Sequence, residues 1–261
     1  MKGWLSCFWG TLSFLTRYPV PRMFLEVENG PMLCSTIFPV AGILVGLGPA
    51  VASVLMSHLP DFLGALIVVL VWSSVTGGIH WDGWADSIET ALSGVSRQDK
   101  ERIRKDPHLG TFGVLALVIG VLFKVFAVSE YRFQPVDYVT VALWSRGILP
   151  LFLTLLHRIL PEIPFSKGLG GGLAPHLGLG SVTISSLVTV ILIFWTGGTG
   201  GVLVLFAGLV LLLIPARWIL TRQDSLSGDF MGFCVELLEI SSLIFLGEMA
   251  LRRSEGSILA L

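Results

Sequence analysis

The chain has 261 residues, of which 53% are hydrophobic and only 13% are charged. Soluble domains carry about 25% charged residues, because much of their surface must be wetted. This composition excludes an ordinary soluble protein, and the formal net charge of −1 gives no basic field for nucleic acid. We therefore predict an all-α, polytopic integral membrane protein that is embedded in the lipid bilayer and binds no nucleic acid.

The first apolar segment covers residues 3–15. It follows a single Lys2 and continues into Arg17 without the small-residue cleavage site that ends a signal peptide. The pattern therefore predicts a short embedded or interfacial helix that is retained in the protein.

Longer apolar segments follow along the rest of the chain. They cover residues 37–57, 62–76, 111–128, 139–156, 182–195, 202–214 and 231–251. A helix needs roughly 20 residues to cross the hydrocarbon core, so the shorter segments must extend into polar flanks or be half-embedded. We predict a helix bundle with six or seven transmembrane helices that forms a single domain over residues 1–261.

Four polar loops, at 17–36, 77–110, 157–181 and 215–230, lie between these segments. If all seven segments span in order, the four loops face the same side of the membrane. They carry most of the cations, namely Arg17, Arg22, Arg97, Lys100, Arg102, Arg104, Lys105, Arg158, Lys167, Arg217 and Arg222. The positive-inside rule then predicts that the loops face the cytoplasm from the cytoplasmic (inner) membrane. The terminal Arg252 and Arg253 speak mildly against an odd number of spans.

The three cysteines, Cys7, Cys34 and Cys234, are far apart in the sequence. They form no C-x-x-C motif and have no metal-ligand spacing, so we interpret them as small buried or interfacial residues.

The most polar stretch is residues 76–89, in which three carboxylates recur at helical spacing. Asp82, Asp86 and Glu89 lie at i, i+4 and i+7, so they share one face of a helix. Three like charges on one face repel unless a cation lies among them, and oxygen ligands suit Mg²⁺. The alternative is a solvated acidic helix end that the helix dipole favours.

The segment that follows, residues 97–113, is basic and rich in glycine towards its end. Carboxylates that hold a metal beside Lys and Arg are typical of phosphoryl transfer, in which cations neutralise charge and glycine allows close backbone approach. His80, in the first motif, is by itself uninformative, since a lone histidine is more often structural than catalytic.

A second polar motif opens the last apolar segment. Asp229 follows Gly228, and Glu236 lies seven residues later on the same helical face. Ionisable groups inside a span are costly and indicate a functional site. The alternative is that Ser227 or Asp229 simply caps the helix.

Two cations also lie within predicted spans and need partners at depth. Arg146 is the stronger candidate for function, because Lys124 lies close enough to a helix end to extend its amine towards the interface.

Taken together, the order and spacing of the motifs resemble the cobalamin synthase family, the adenosylcobinamide-GDP ribazoletransferases. The matching stretches are FLTRYPVP at 14–21, FPVAG at 38–42, GGIHWDGWAD at 77–86, KDPHLGTFG at 105–113 and GDFMG at 228–232 with Glu236. Glu89 and Thr90 depart from the aspartate and glycine usual in the family. Ser225, Leu226 and Ser227 also depart from the usual sequence before the late Gly-Asp.

The resemblance implies a Mg²⁺-dependent phosphotransferase. It would transfer the adenosylcobinamide phosphate from adenosylcobinamide-GDP to α-ribazole or its 5′-phosphate, releasing GMP in the last assembly step of the cobalamin nucleotide loop. A homo-oligomer or contacts with other corrinoid-assembly enzymes are left open.

The resemblance also suggests residue roles. The implied catalytic residues are His80, Asp82, Asp86, Lys105, Asp106 and Asp229. The implied metal ligands are Asp82, Asp86, Glu89 and Asp229. The implied substrate contacts are Arg17, Gly77, Gly78, Arg104, Gly110, Gly113, Arg146, Gly228 and Glu236.

Two other functions remain as alternatives. A membrane enzyme like the CDP-alcohol phosphotransferases uses a related acidic motif, but Ile79 stands where its aspartate would precede Asp82. An ion-coupled transporter would also have intramembrane carboxylates and glycine-broken helices, but it predicts carboxylates near mid-bilayer and an inverted repeat.

Overall fold

The computed structural model describes residues 2–21, 23, 33–93, 109–131, 133–166, 173, 177–223 and 225–258. These residues form helices and no extended strands, apart from one isolated bridge between Phe165 and Leu226. The helices are α1 (Lys2–Leu15), α2 (Phe38–Leu55), α3 (Asp61–Thr76), α4 (Ile79–Leu92), α5 (Thr111–Glu130), α6 (Pro135–Gly147), α7 (Leu149–Ile159), α8 (Leu179–Gln223) and α9 (Gly228–Ile258). A 3₁₀ turn, Ser35–Ile37, leads into α2.

The predicted membrane-spanning bundle is confirmed. Six segments of the described chain are long and apolar enough to cross a bilayer, and the bent pair α3 and α4 would bring the number to seven. One of the six combines α6 and α7 as Pro135–Ile159, and α8 supplies two, because its backbone is non-helical at Gly198. The protein is therefore membrane-embedded.

The inner and outer helices differ in burial. The span Pro135–Ile159 is 78% buried and Gly228–Leu251 is 72% buried, whereas Leu179–Thr196 is only 22% buried. Leucine and phenylalanine side chains cover the exposed faces of α5 and α8, such as Phe123 and Phe194. In a membrane such faces contact lipid, so α6, α7 and α9 form the centre of the bundle.

Hydrogen bonds between distant segments define one end of the bundle, which we call the site end. The main-chain N–H of Arg17 donates to the Val75 carbonyl at 2.8 Å, and the N–H of Ser166 donates to the Leu226 carbonyl at 3.0 Å. Arg17, Ile79, Ser166 and Ser227, one from each of the four predicted loops, line a single cavity at this end, as spanning in order predicts. The membrane side that this end faces stays a prediction.

The opposite end, which we call the far end, contains the α2–α3 turn and the α5–α6 connection. There the Tyr131 hydroxyl donates to Glu248 of α9 at 2.7 Å.

Two of the predicted loops contain helices within the described residues, and in the first the carboxylate spacing predicted a helical face. Gly77 and Gly78 have φ of +66° and +73°, left-handed values that favour glycine. They bend the chain by 91° between α3 and α4. As a result, residues 79–92 form a helix that turns into the bundle and buries Trp81 and Trp84. Residues 215–223, also predicted as loop, continue α8.

The cysteines also differ from expectation. Cys7 and Cys34 are joined by a disulfide, which connects α1 to the turn before α2. Cys234 is free and buried, as predicted for all three.

Candidate active site

The site is built where α4 crosses α9 with their backbones in contact. A Cβ atom added to Gly83 would lie 2.5 Å from the carbonyl oxygen of Asp229. One added to Gly232 would lie 3.1 Å from the Cα of His80. Real Cβ atoms essentially never come within 3.0 Å of another atom, so only glycine fits at position 83, and at position 232 a side chain would require its neighbours to shift. The crossing brings together the two acidic motifs, which are far apart in the sequence.

A cavity of about 410 Å³ opens beside this crossing. It is bounded by the starts of α4 and α9, by the end of α1 with the turn that follows, and by the start of α7. Of the predicted site residues, it is lined by Arg17, His80, Asp82, Gly228 and Asp229. Asp82 is exposed, Asp229 is half-buried and His80 is buried. The cavity thus combines two carboxylates, a cation and an imidazole.

Arg17 is placed by the α3–α4 turn. Its side chain lies directly on Gly77, where a Cβ would collide with it, and its main-chain N–H is bonded to the end of α3. Gly77 therefore has two structural functions, since it makes the turn and leaves room for the guanidinium. Among the described residues that line the cavity, Arg17 is the only arginine or lysine.

Glu89 has a structural contact that the sequence did not show. Its Oε2 accepts a hydrogen bond from the Gly113 N–H at 2.6 Å, and its carboxylate occupies the space beside Gly110. Gly110 is the N-cap of α5 and Gly113 lies in its first turn. A carboxylate at that position satisfies an otherwise free amide and complements the helix dipole. The roles predicted for Glu89, Gly110 and Gly113 as ligand and substrate contacts stay predictions.

A charged cluster is buried beneath the cavity. Lys124 Nζ pairs with Glu236 Oε2 at 2.7 Å and also with Glu239, and Arg146 pairs with Glu239. The exposed fractions are 1% for Lys124, 2% for Glu236 and 0% for Arg146 and Glu239. Two positive and two negative charges balance, which lowers the cost of burying them.

The cluster corrects the interpretation of Lys124. Its amine does not reach the interface, because it lies over the Trp72 ring at 4.4 Å and within the cluster. Arg146 and Glu236 are not among the residues that line the cavity, and their predicted contacts with substrate stay predictions. Glu239 completes the cluster, although its sequence spacing assigned it no role. The sequence could have indicated this role, since two cations and two glutamates within predicted spans need partners of opposite charge.

The cluster touches the cavity through His80. Arg146 Nη2 lies 3.2 Å from His80 Nδ1. A guanidinium can only donate, so Nδ1 accepts, and the neutral imidazole carries its hydrogen on Nε2. The buried charges therefore fix the tautomer of a residue that lines the cavity.

The carboxylates of the site could bind Mg²⁺ only if water or substrate phosphates supplied the remaining ligands. Among the described residues, no group of three or more His, Cys, Asp or Glu is close enough to hold a metal ion. Mg²⁺, however, is usually held by one or two carboxylates, with water and substrate phosphates as further ligands. Asp82 and Asp229 line one cavity, and Asp86 follows one turn after Asp82 on α4. Their chemistry fits this mode of binding. Arg104, Lys105 and Asp106 lie outside the described residues.

Comparison with known proteins identifies the family. The model of the family described as cobalamin-5-phosphate synthase matches residues 7–247. The chain belongs to the cobalamin-5-phosphate synthase family. The match contains both acidic motifs and all of the residues that line the cavity.

Curated relatives agree with this assignment. A protein of Shigella dysenteriae named adenosylcobinamide-GDP ribazoletransferase is 33% identical over 92% of this chain and 98% of its own length. Proteins with the same name from Escherichia coli and Brevibacillus brevis are 33% and 26% identical, over 92% and 93% of this chain. No solved structure matches. As a member of the cobalamin-5-phosphate synthase family, the chain is a membrane-embedded transferase of cobalamin biosynthesis.

Proposed function

We propose that the chain transfers the adenosylcobinamide phosphate of adenosylcobinamide-GDP to α-ribazole or its 5′-phosphate, with Mg²⁺ bound in the cavity. The observation that carries this proposal is the convergence of Asp82, Asp229, Arg17 and His80 on one cavity at the α4–α9 crossing. The names of the relatives indicate the two substrates, adenosylcobinamide-GDP and ribazole.

The reaction exchanges one phosphorus–oxygen bond for another. A ribose hydroxyl of ribazole bonds to the phosphorus that carries the adenosylcobinamide arm, and the bond from that phosphorus to the GMP oxygen breaks. The hydroxyl proton is released, and GMP leaves as a phosphate monoester anion. Such transfers depend on positioning and on neutralising charge more than on covalent help from the protein.

The residues of the cavity divide these tasks. Asp82 and Asp229, which line the cavity, would hold Mg²⁺ together with phosphate oxygens and water, with Asp86 one turn away on α4 as a further candidate ligand. When bound, Mg²⁺ offsets the charge of the phosphates. Arg17 binds the diphosphate at the mouth, where its planar guanidinium can contact two oxygens at once. His80, kept neutral by Arg146, donates from Nε2 to a phosphate or hydroxyl oxygen.

Asp229 could serve as a metal ligand or as the base that takes the hydroxyl proton. We favour the ligand role, because a hard cation keeps the carboxylate ionised and α4 alone leaves the ligand set incomplete. The site end would face the cytoplasm, since the four cation-rich segments converge there.

The experiment that tests the proposal is direct. Purified protein in detergent is incubated with adenosylcobinamide-GDP, α-ribazole and Mg²⁺, and GMP is measured together with the joined corrinoid product. We expect equal amounts of both products, and neither when Mg²⁺ is chelated. Release of GMP without the joined corrinoid, or no release at all, would reject the proposal.

A further inference from the structure

We propose that the buried half of the cavity binds the benzimidazole base of ribazole, while the corrin ring of the other substrate remains outside the mouth. This inference rests on the proposed function, and it assigns the two substrates to different parts of one site.

The cavity has a polar mouth and an apolar inner wall. Arg17 and Asp82 are exposed, so they lie at the mouth. Four of the buried residues that line the cavity are apolar, namely Leu15, Leu149, Met231 and Val235, and we place the inner wall there. The buried polar residues of the lining are Thr16, His80 and Ser227. Half-buried Phe14 and Ile79 connect the two parts. A ligand that is apolar at one end and carries hydroxyls or phosphate at the other matches this gradient.

Hydrogen bonding favours the benzimidazole of ribazole over the guanine of adenosylcobinamide-GDP in the buried part of the cavity. The Ser13 and Thr16 hydroxyls donate to carbonyls of their own helix, at 2.8 Å each, and the Ser227 oxygen accepts from the Phe230 N–H. Each of these hydroxyl groups already makes a hydrogen bond within the protein and so has fewer to offer a ligand. Guanine has several donors and acceptors on its edge, and each one buried without a partner costs about 1–3 kcal/mol. Benzimidazole, whose outer ring is hydrocarbon, loses little in the same place.

Size distinguishes between the two substrates. A volume of about 410 Å³ lies within the range of roughly 300–1,000 Å³ typical of sites for drug-sized ligands. A nucleoside is of that size, whereas a corrin macrocycle with its amide side chains and adenosyl group is several times larger. Only the phosphate-bearing arm of the corrinoid can therefore enter, and it meets the ribose hydroxyl beside Asp82 and Asp229.

Val235→Phe tests the inference, because the added ring fills the buried end of the cavity. Val118→Phe is the matched control, since Val118 lies on the exposed face of α5 and is 51% exposed. Binding of radiolabelled α-ribazole alone is measured by equilibrium dialysis, and both Michaelis constants are then measured in the complete reaction.

We expect Val235→Phe to weaken ribazole binding about tenfold or more and to raise the KM for ribazole in parallel, as loss of a filled apolar pocket requires. The KM for adenosylcobinamide-GDP should stay within about twofold, as should both constants in Val118→Phe. If ribazole binding is unchanged and the KM for adenosylcobinamide-GDP rises instead, the cavity holds the guanosine end and the inference is wrong.

A second variant covers the case in which Val235→Phe fails to fold. Met231→Ala enlarges the same wall, so it should improve the use of a riboside with a bulkier fused ring relative to α-ribazole. An unchanged preference would also overturn the inference. A wild-type protein that binds ribazole but releases no GMP would reject only the proposed reaction, so the two failures are distinguishable.

Discussion

At the scale of single residues, Asp82 and Asp86 are the predicted Mg²⁺ ligands on α4. They lie one turn apart on α4, and Asp82 lines the cavity. We predict that Asp82→Asn and Asp86→Asn each lower the rate of GMP release by about 100-fold or more, because loss of a group that positions a metal costs several kcal/mol of barrier. Asp61→Asn, in the first turn of α3 at the far end, is the matched control and should keep full activity.

Folding must be checked beside activity in these variants. Thermal unfolding in detergent should show all three variants folded. Retention of more than about a tenth of the wild-type rate in either site variant would remove that aspartate from the ligand set.

Asp229 allows its two possible roles to be separated. If it is a ligand, Asp229→Asn should raise the Mg²⁺ concentration that gives the half-maximal rate by about tenfold or more. If it is a base, the variant should lose rate while its Mg²⁺ requirement stays unchanged. Mg²⁺ titrations of the two proteins decide between these roles, and wild-type kinetics in the variant would leave Asp229 only as part of the helix start.

The buried pairing of Lys124 predicts how its variants change the stability of the fold. Lys124→Met leaves Glu236 without its partner in a buried position, which should lower the free energy of unfolding by about 3–5 kcal/mol. Lys124→Met combined with Glu236→Met removes one charge of each sign and leaves the Arg146–Glu239 pair in place. We expect the double variant to be the more stable of the two, as measured by denaturant unfolding. A double variant less stable than the single one would show that the cluster is not organised as paired charges.

The carboxylates of the site could be identified from the sequence, but the partners of Lys124 could not. Asp82 and Asp229 could be selected because carboxylates at helix ends beside glycine are unusual in an apolar chain. The partners of Lys124 could not be selected, because distance from a helix end along the sequence does not reveal which face of the helix is covered. Only the packing of α5 against α4 and α9 decides whether its amine can reach water.

At the scale of helices, the α4–α9 crossing determines the site. Gly83→Ala should destabilise the protein by about 1–3 kcal/mol and abolish most activity, because the new methyl group meets the backbone of Asp229, which cannot move aside as a side chain can. Gly180→Ala, at the start of α8, meets nothing within 4 Å and is the control. Unfolding midpoints and GMP release for both variants test this, and a fully active Gly83→Ala would mean that the crossing is looser than described.

The sequence predicted the apolar spans and the shared helical face of the carboxylates in α4, but not that α4 is buried in the bundle. Long apolar segments indicate spans almost independently of context, since a bilayer requires every backbone group to be bonded internally. Helix α4 has three acidic residues and too few apolar ones to indicate a span, so its segment was assigned to a polar loop between spans. Its burial depends on partners in α5 and α9, such as the Ala116 carbonyl that accepts from the Trp84 indole at 2.8 Å.

At the scale of the whole molecule, we predict that the site end and the far end lie on opposite sides of the membrane. Cysteine introduced at Ser225, at the site end, should be labelled by a membrane-impermeant reagent only from the cytoplasm. Cysteine at Ser57, in the α2–α3 turn, should be labelled only from outside. Both substitutions are made in a chain without its native cysteines. Labelling of both positions from the same side would contradict the order of spans, and a reversed pattern would contradict the cytoplasmic assignment.

The buried cluster also has a consequence for biosynthesis. Lys124 and Arg146 are synthesised about 90–115 residues before the glutamates that neutralise them, since the paired positions are 93, 112 and 115 apart in the chain. A lone cation at the centre of a helix costs about 2.5–3.5 kcal/mol on insertion scales. Until the ribosome has completed α9, α5 and α6 therefore insert less favourably than they do once their cations are paired. We expect a nascent chain that ends before α9 to leave the translocon more slowly than the full-length chain.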